Sequence, residues 1–205
     1  MASGTKNVSG NPMSNVVPLR SRPSEPADLL SRLREADPKA VAEVYRAHHT
    51  KIRGFSRRML GDPTAAEDVV HDVFVALPRA VGRFRGDASL STFLMSIAVN
   101  LCRRRMRSKA RGLRAVERMQ AREAPAPEPR TPECELRRAQ LAEALRRGLD
   151  TLSLDHREVF VLCAVEERTS PEVADILDIP PGTVRTRLFH ARKQLRAFLE
   201  REGVR

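Results

Sequence analysis

The chain has 205 residues, 41% of them hydrophobic, a formal net charge of +11, no tryptophan and one tyrosine. That length allows one large domain or two small ones around an aliphatic core, and sparse glycine amid Leu, Ala, Arg and Glu favours helix over sheet. No run of about 18 apolar residues exists to span a membrane, and Cys102, Cys134 and Cys163 have neither disulfide-framework nor zinc spacing.

The charge points to anionic partners, nucleic acid first and an acidic membrane surface second. A GC-rich coding sequence would also raise the arginine count, so composition alone does not choose. Residues 1–26 are rich in Ser, Pro, Gly and Asn and hold no acid before Glu25. They read as a disordered tail. The tail lacks the apolar core of a secretory signal, so a cytoplasmic protein is expected.

Helical signals begin at Asp37-Pro38, an N-cap followed by proline at the first helical position. Val41, Val44, Ile52, Phe55 and Met59 follow at helical spacing and predict a helix to about Leu60. Gly61-Asp62-Pro63 breaks it and caps the next helix, 64–77. That helix pairs an apolar stripe (Ala66, Val69, Val70, Val73, Phe74, Leu77) with an acidic side, Glu67, Asp68 and Asp72, around His71. In so basic a chain the acidic island suits a basic protein partner; acids near a positive helix N-terminus explain it equally. A loop with Gly82 and Gly86 leads to a third helix, about 89–108, whose stripe is Leu90, Phe93, Leu94, Ile97, Ala98 and Leu101. Together these make a helical domain, 27–108. Residues 109–131, with their Pro/Ala/Glu stretch, read as a linker.

The second domain, 132–205, is again helical. Leu136, Leu141, Leu145, Leu149 and Leu152 define one helix, and Val159, Phe160, Leu162 and Cys163 another around 155–166. Thr169-Ser170-Pro171-Glu172 has capping-box spacing and opens a short helix, 170–177. A tight turn follows, then "IPPGTVRTRLFHARKQL". A short capped helix, a turn and a longer basic helix form a helix-turn-helix signature. Val184, Leu188, Ala191 and Leu195 make the inner stripe. Arg185, Thr186, Lys193 and Arg196 fall opposite, where Arg and Thr can donate to phosphates and base edges. Phe189 shares that side. Its ring suits a thymine methyl, or it packs on a neighbouring helix.

Helix 89–108 carries a second face of Thr92, Ser96, Asn100, Arg103 and Arg107. Asn and Arg beside Phe93 suit single-stranded nucleic acid, whose unstacked bases need hydrogen bonds and a ring to lie on. A basic helix C-terminus that complements the macrodipole reads equally well. No phosphate loop, nucleophile–base pair or metal spacing occurs, so no enzyme, metal or cofactor is expected.

The segments "AEDVVHDVFVAL", "FRGDASLSTFLMSIAVNLCRRR" and "LSLDHREVFVLCAVEERTSPEVADILDIPPGTVRTRLFHARKQL" resemble the conserved regions of extracytoplasmic-function sigma factors of the sigma-70 family. The likeness covers about 37–108 and 136–200. It implies an all-α fold of two small helical domains joined by a flexible linker, the second with a helix-turn-helix. It implies that Glu67, Asp68, His71, Asp72 and Phe74 bind the clamp of the polymerase largest subunit, with the flap of the second subunit a further contact. Phe84, Asp87, Ser89, Phe93, Ser96, Asn100, Arg103 and Arg107 would read melted minus-ten DNA. Thr183, Arg185, Thr186, Arg187, Phe189, His190, Arg192 and Lys193 would read the minus-thirty-five duplex, and the linker would thread the RNA channel. An anti-sigma partner is also implied. The chain departs from the family pattern at Phe93, where Trp is usual, and at Met95, where an aromatic is frequent. His71-Asp72 stands for a common Gln-Glu pair, Pro180 for a capping Ser, and His190 for Arg. Two other classes fit parts of the chain: a helix-turn-helix regulator acting on duplex DNA alone, and an adaptor whose basic residues are compositional.

Overall fold

The fold is described from a computed structural model covering residues 27–84, 86, 88–116 and 133–203, with side chains from 28 to 110 (85 and 87 apart) and from 140 to 203. Every described element is helical: α1 (Ala27–Arg34), α2 (Pro38–Leu60), α3 (Pro63–Ala80), a 3-10 turn (Val81–Arg83), α4 (Leu90–Val116), α5 (Glu133–Thr151), α6 (Leu154–Phe160) with a π turn (Val161–Val165), α7 (Ser170–Leu177) and α8 (Pro181–Arg201).

The boundaries follow from local chemistry. The Asp37 carboxylate accepts the Lys39 N–H at 2.9 Å, with Pro38 fixing the first helical φ of α2. Gly61 ends α2 at φ 67°, a left-handed angle that favours glycine, and donates back to the Arg57 carbonyl. Asp62 then accepts from Thr64 and Ala65 to start α3. The Ser89 hydroxyl accepts the Thr92 N–H at 3.2 Å and so starts α4.

Four elements differ from the sequence expectation. α1 was not expected; it exists because Leu29 and Leu33 insert into the core, while Arg32 bonds Asp37 at 2.8 Å. Both α3 and α4 run longer than their apolar stripes. Pro78 is accommodated in the last turns of α3, and α4 continues to Val116, through eight residues assigned to the linker. The helix expected at 155–166 widens into the π turn, where Glu166 N–H bonds the Val161 carbonyl.

In the first unit α2, α3 and α4 pack against one another under α1. Their core is aliphatic with three buried phenylalanines, Phe55, Phe74 and Phe84. In the second unit α8 packs on α5, α6 and α7. Val184, Ala191 and Leu195 bury its inner stripe, with Leu188 half-buried. The capping box of α7 is complete, Thr169 N–H donating to Glu172 at 2.9 Å and Glu172 N–H to the Thr169 hydroxyl at 3.4 Å.

The two units touch. α7 packs on α4, the π turn packs on α2, and the buried apolar residues of both units form one cluster. Polar contacts also cross the boundary among the described residues. Arg103 grips Glu158 with two bonds of 2.7 and 2.6 Å. Arg157 donates to the Met59 carbonyl at 3.0 Å, Arg58 to Glu166 at 2.9 Å, and Arg168 to the Ser91 hydroxyl at 2.6 Å.

Candidate nucleic-acid interface

Two surfaces gather most of the residues singled out from sequence. The first is the outer face of α8. Arg185, Thr186, Phe189, His190, Arg192, Lys193 and Arg196 are all exposed. Phe189 is 65% exposed, so it is not packed away in the core. Its ring meets His190 edge-on at 5.5 Å. It also borders a groove of about 750 Å³ with Phe160, Leu195 and Leu199. The Thr186 hydroxyl donates to the Gly182 carbonyl at 3.1 Å, which leaves it able to accept.

Two residues expected on this face sit at its margin. Arg187 is half-buried and paired with Asp155 at 2.7 Å, so it ties α8 to α6. Thr183 is half-buried in the first turn. Pro180 offers no side-chain cap to α8. The helix start instead relies on Pro181 at its first position and on the turn below, where Asp178 adopts φ 55°.

The second surface lies between α3 and α4. A groove of about 600 Å³ brings together Asp72, Val75, Phe93, Ser96 and Asn100. Asn100 is exposed at its edge. Arg79, Arg83 and Arg104 also line it. Sequence reasoning missed these three cations because they fall on different elements and join only through the α3–α4 packing. A neighbouring cleft of about 200 Å³ holds Phe84, Thr92, Phe93 and Ser96 on one side and Asp175 of α7 on the other. The rings of Phe84 and Phe93 meet at 5.1 Å. Phe84 is only 8% exposed, and Thr92 is buried with its hydroxyl bonded to Ser89. Both therefore support the surface from beneath. Ser96 donates to the Phe93 carbonyl at 2.8 Å. Arg107 is exposed beyond Arg103. Asp87 lies outside the described residues.

The acidic island on α3 is neutralised within the chain. Glu67 pairs with Arg53 at 2.8 Å, and Arg105 bridges Asp68 and Asp72 at 3.1 and 2.7 Å. His71 is exposed. Phe74, assigned to partner contact from the resemblance, is 7% exposed and stacks edge-on with Tyr45 at 4.9 Å, so it belongs to the core. Val75 is the apolar group this helix presents outward, at 62% exposure.

Charge burial is concentrated at the contact between the units. Glu158 has no exposed surface. Burial holds its carboxyl above the usual carboxylate range, against the opposing pull of Arg103. Burial pushes the Cys102 thiol up to about 11 and raises Cys163 as well. Among the described residues no cluster of His, Cys, Asp and Glu is arranged to hold a metal ion. No helix among them is long and apolar enough to cross a membrane.

Comparison with known proteins matches the two helical units. The family described as Sigma-70 region 2 matches residues 44–112, and that described as Sigma-70, region 4 matches 142–195. The chain is 30% identical over 176 residues to the RNA polymerase sigma factor CarQ of Myxococcus xanthus, covering 83% of this chain and 95% of that one. It is 28% identical over 182 residues to the ECF RNA polymerase sigma factor SigW of Bacillus subtilis, covering 83% and 94%. Among solved structures it resembles the sigma factor RpoE of Bartonella quintana, determined in complex with the anti-sigma factor NepR. That likeness has a TM-score of 0.62 at 20% identity and covers 78% of this chain and 96% of that one. At such identity it supports the fold.

Proposed function

The chain belongs to the sigma-70 family, in its extracytoplasmic-function group, and from that premise we propose that it binds RNA polymerase core and directs initiation at promoters it reads through two separate surfaces. The observation that carries this reading is the pairing of an exposed basic helix face with a separate polar groove. The α8 face (Arg185, Thr186, Phe189, His190, Arg192, Lys193) suits duplex DNA at the minus-thirty-five element, with arginines for phosphate and guanine and an apolar ring for thymine. The α3–α4 groove suits a melted minus-ten strand. Asn100 offers hydrogen bonds to a base edge, Phe93 a ring to lie against, and Arg79, Arg83 and Arg104 cations for the backbone. Extruding a base costs a few kcal/mol, which those contacts must offset.

The exposed side of α3, with Glu67, Asp68, His71 and Asp72, is assigned to the polymerase clamp, and the second unit to the flap. Val75 adds the apolar contact that buried Phe74 cannot make. Each unit alone binds DNA weakly; mounting both on one large partner makes the second contact intramolecular. The protein performs no chemistry of its own and acts in the cytoplasm, where polymerase is. Because the Bartonella relative was determined with an anti-sigma factor, a protein that covers one or both surfaces is included in the proposal. The test is transcription by sigma-free core on a genomic fragment library. Addition of this chain is expected to yield a discrete set of transcripts sharing two upstream elements. Transcripts without any common element, or none at all, would overturn it.

A further inference from the structure

The first turn of α6 lies along one flank of α8. Asp155 pairs with Arg187 at 2.7 Å. His156, the next residue, stacks on His190, with ring centroids 6.1 Å apart and planes 27° from parallel. That separation is inside the roughly 4.5–7 Å range of paired rings. Arg187 and His190 are three positions apart on α8, so they share one flank, and α6 holds both from the side. Phe189 meets His190 edge-on at 5.5 Å. His190 is exposed; an exposed ring without such neighbours would move among its staggered orientations. His156 is itself anchored, its backbone N–H donating to the capping hydroxyl of Ser153 at 3.4 Å. Its ring Nδ1 is buried with no hydrogen-bond partner among the described residues, so the ring acts by its faces and not by a bond from that nitrogen. His156 also borders a surface hollow of about 920 Å³ with Ser153, Gln194 and Arg201. Shortening it to alanine widens a hollow that water already reaches and leaves the core intact.

We propose that His156 is a positioning residue for promoter reading: it holds the His190 ring in the orientation that donates a hydrogen bond to N7 of one purine in the minus-thirty-five element. The assignment rests on the reading of α8 as the minus-thirty-five helix. A histidine ring always carries at least one N–H donor, and N7 is the major-groove acceptor that both purines present. His156 is half-buried on α6 and acts only through His190. In a helix two χ1 wells are open to most side chains and the ring torsion is roughly two-fold, so an unheld ring has about four orientations. One hydrogen bond is worth about fivefold in affinity. If one orientation in about four makes that bond and the others bind as though N7 were absent, the mean preference falls from about fivefold to about twofold.

The test compares the full wild-type chain with His156→Ala, His156→Phe and His190→Ala. NMR of the free chain, labelled in its histidines, reads the χ1 couplings of His190. Holoenzyme, core plus chain, is then competed against promoter duplexes in which single minus-thirty-five purines are replaced by their 7-deaza forms, which lack the N7 acceptor. Wild type should show one His190 rotamer and a loss of about fivefold at one purine. His156→Phe keeps a ring to stack on and removes the unpaired nitrogen, so it should match wild type. His156→Ala should show averaged couplings and a loss of only about twofold at that purine, with affinity for the 7-deaza duplex unchanged. His190→Ala should show no loss there. A His190 rotamer indifferent to His156→Ala overturns the proposal, as does the full loss retained in that variant. Equal weakening of His156→Ala on every duplex overturns it too, because the ring would then support the helix as a whole. So does His156→Phe behaving as alanine, or a wild type that tolerates 7-deaza purines at every position. Run-off transcription separates this assignment from the reading it rests on. Promoter-dependent transcripts beside any of those failures leave the sigma role standing and refute the positioning role alone. Absence of such transcripts refutes the sigma role, and the assignment with it.

Discussion

Replacing Phe189 by alanine separates a DNA-reading role from a packing role. The ring is 65% exposed, so about a third of a phenylalanine's ~200 Å² is covered. At ~25 cal/mol per Å² that is at most about 1.5–2 kcal/mol of stability. Alanine's better helix propensity returns roughly 0.5 kcal/mol, leaving a net cost of about 1 kcal/mol. A thymine methyl set against the ring contributes about 0.8 kcal/mol, or roughly fourfold in affinity. The assay is competition binding of holoenzyme, core plus this chain, to promoter duplexes in which single minus-thirty-five thymines are replaced by uracil. Wild type should lose about fourfold at one thymine and nothing at the others, by the same methyl increment. Phe189→Ala should bind thymine and uracil duplexes alike. If wild type is indifferent to uracil at every position, or if Phe189→Ala keeps the full methyl penalty, the ring does not read thymine. The groove it shares with Phe160, Leu195 and Leu199 would then be its place of action.

Other outcomes follow from the same geometry. Asn100→Ala should reduce open-complex formation about tenfold, the value of one lost base contact of ~1.4 kcal/mol, with core affinity unchanged; filter binding and permanganate reactivity measure the two. Asp68→Arg, which sets a second guanidinium beside Arg105, should instead weaken core binding, read by gel filtration of the complex. Gly148→Ala would drive a Cβ into the Leu195 side chain and bring it to 3.1 Å from that of Phe198, both on α8. Thermal melting should register a loss of about 1–3 kcal/mol from overpacking. Asp37 is held below its ordinary value of 3.8 by the Lys39 N–H and then by Arg32. A depressed acid contributes stability above its ordinary value that is lost as pH falls through the depressed one. Wild type should therefore lose stability below about pH 4, and Asp37→Asn, which can still cap, should show a shallower acid limb in denaturant titrations.

Much of the fold was legible because its signals are local. Asp37-Pro38, Asp62-Pro63 and Thr169-x-x-Glu172 each bring their own hydrogen-bond partners within a few residues, so the structure caps helices where the sequence announces caps. α1 was not legible, since eight residues with two buried leucines carry too little periodicity until the core that receives them exists. The π turn leaves no mark in an apolar run. On the candidate surfaces, exposed α8 residues followed from simple helical angles. Arg187 did not, because its partner Asp155 lies 32 positions away. Phe74 and Phe84 were assigned outward roles by resemblance, while their burial depends on Tyr45 and Phe93 arriving from other helices. The Arg103–Glu158 pair spans 55 positions and two units, and nothing periodic links them.

Permanganate mapping of single-stranded thymines tests the central claim most directly. On a promoter fragment, sigma-free core plus this chain should make thymines reactive in one short window at a fixed distance downstream of a protected duplex element, and core alone should leave them unreactive. Reactivity that is absent with the chain present, or that does not depend on the upstream element, would contradict the account.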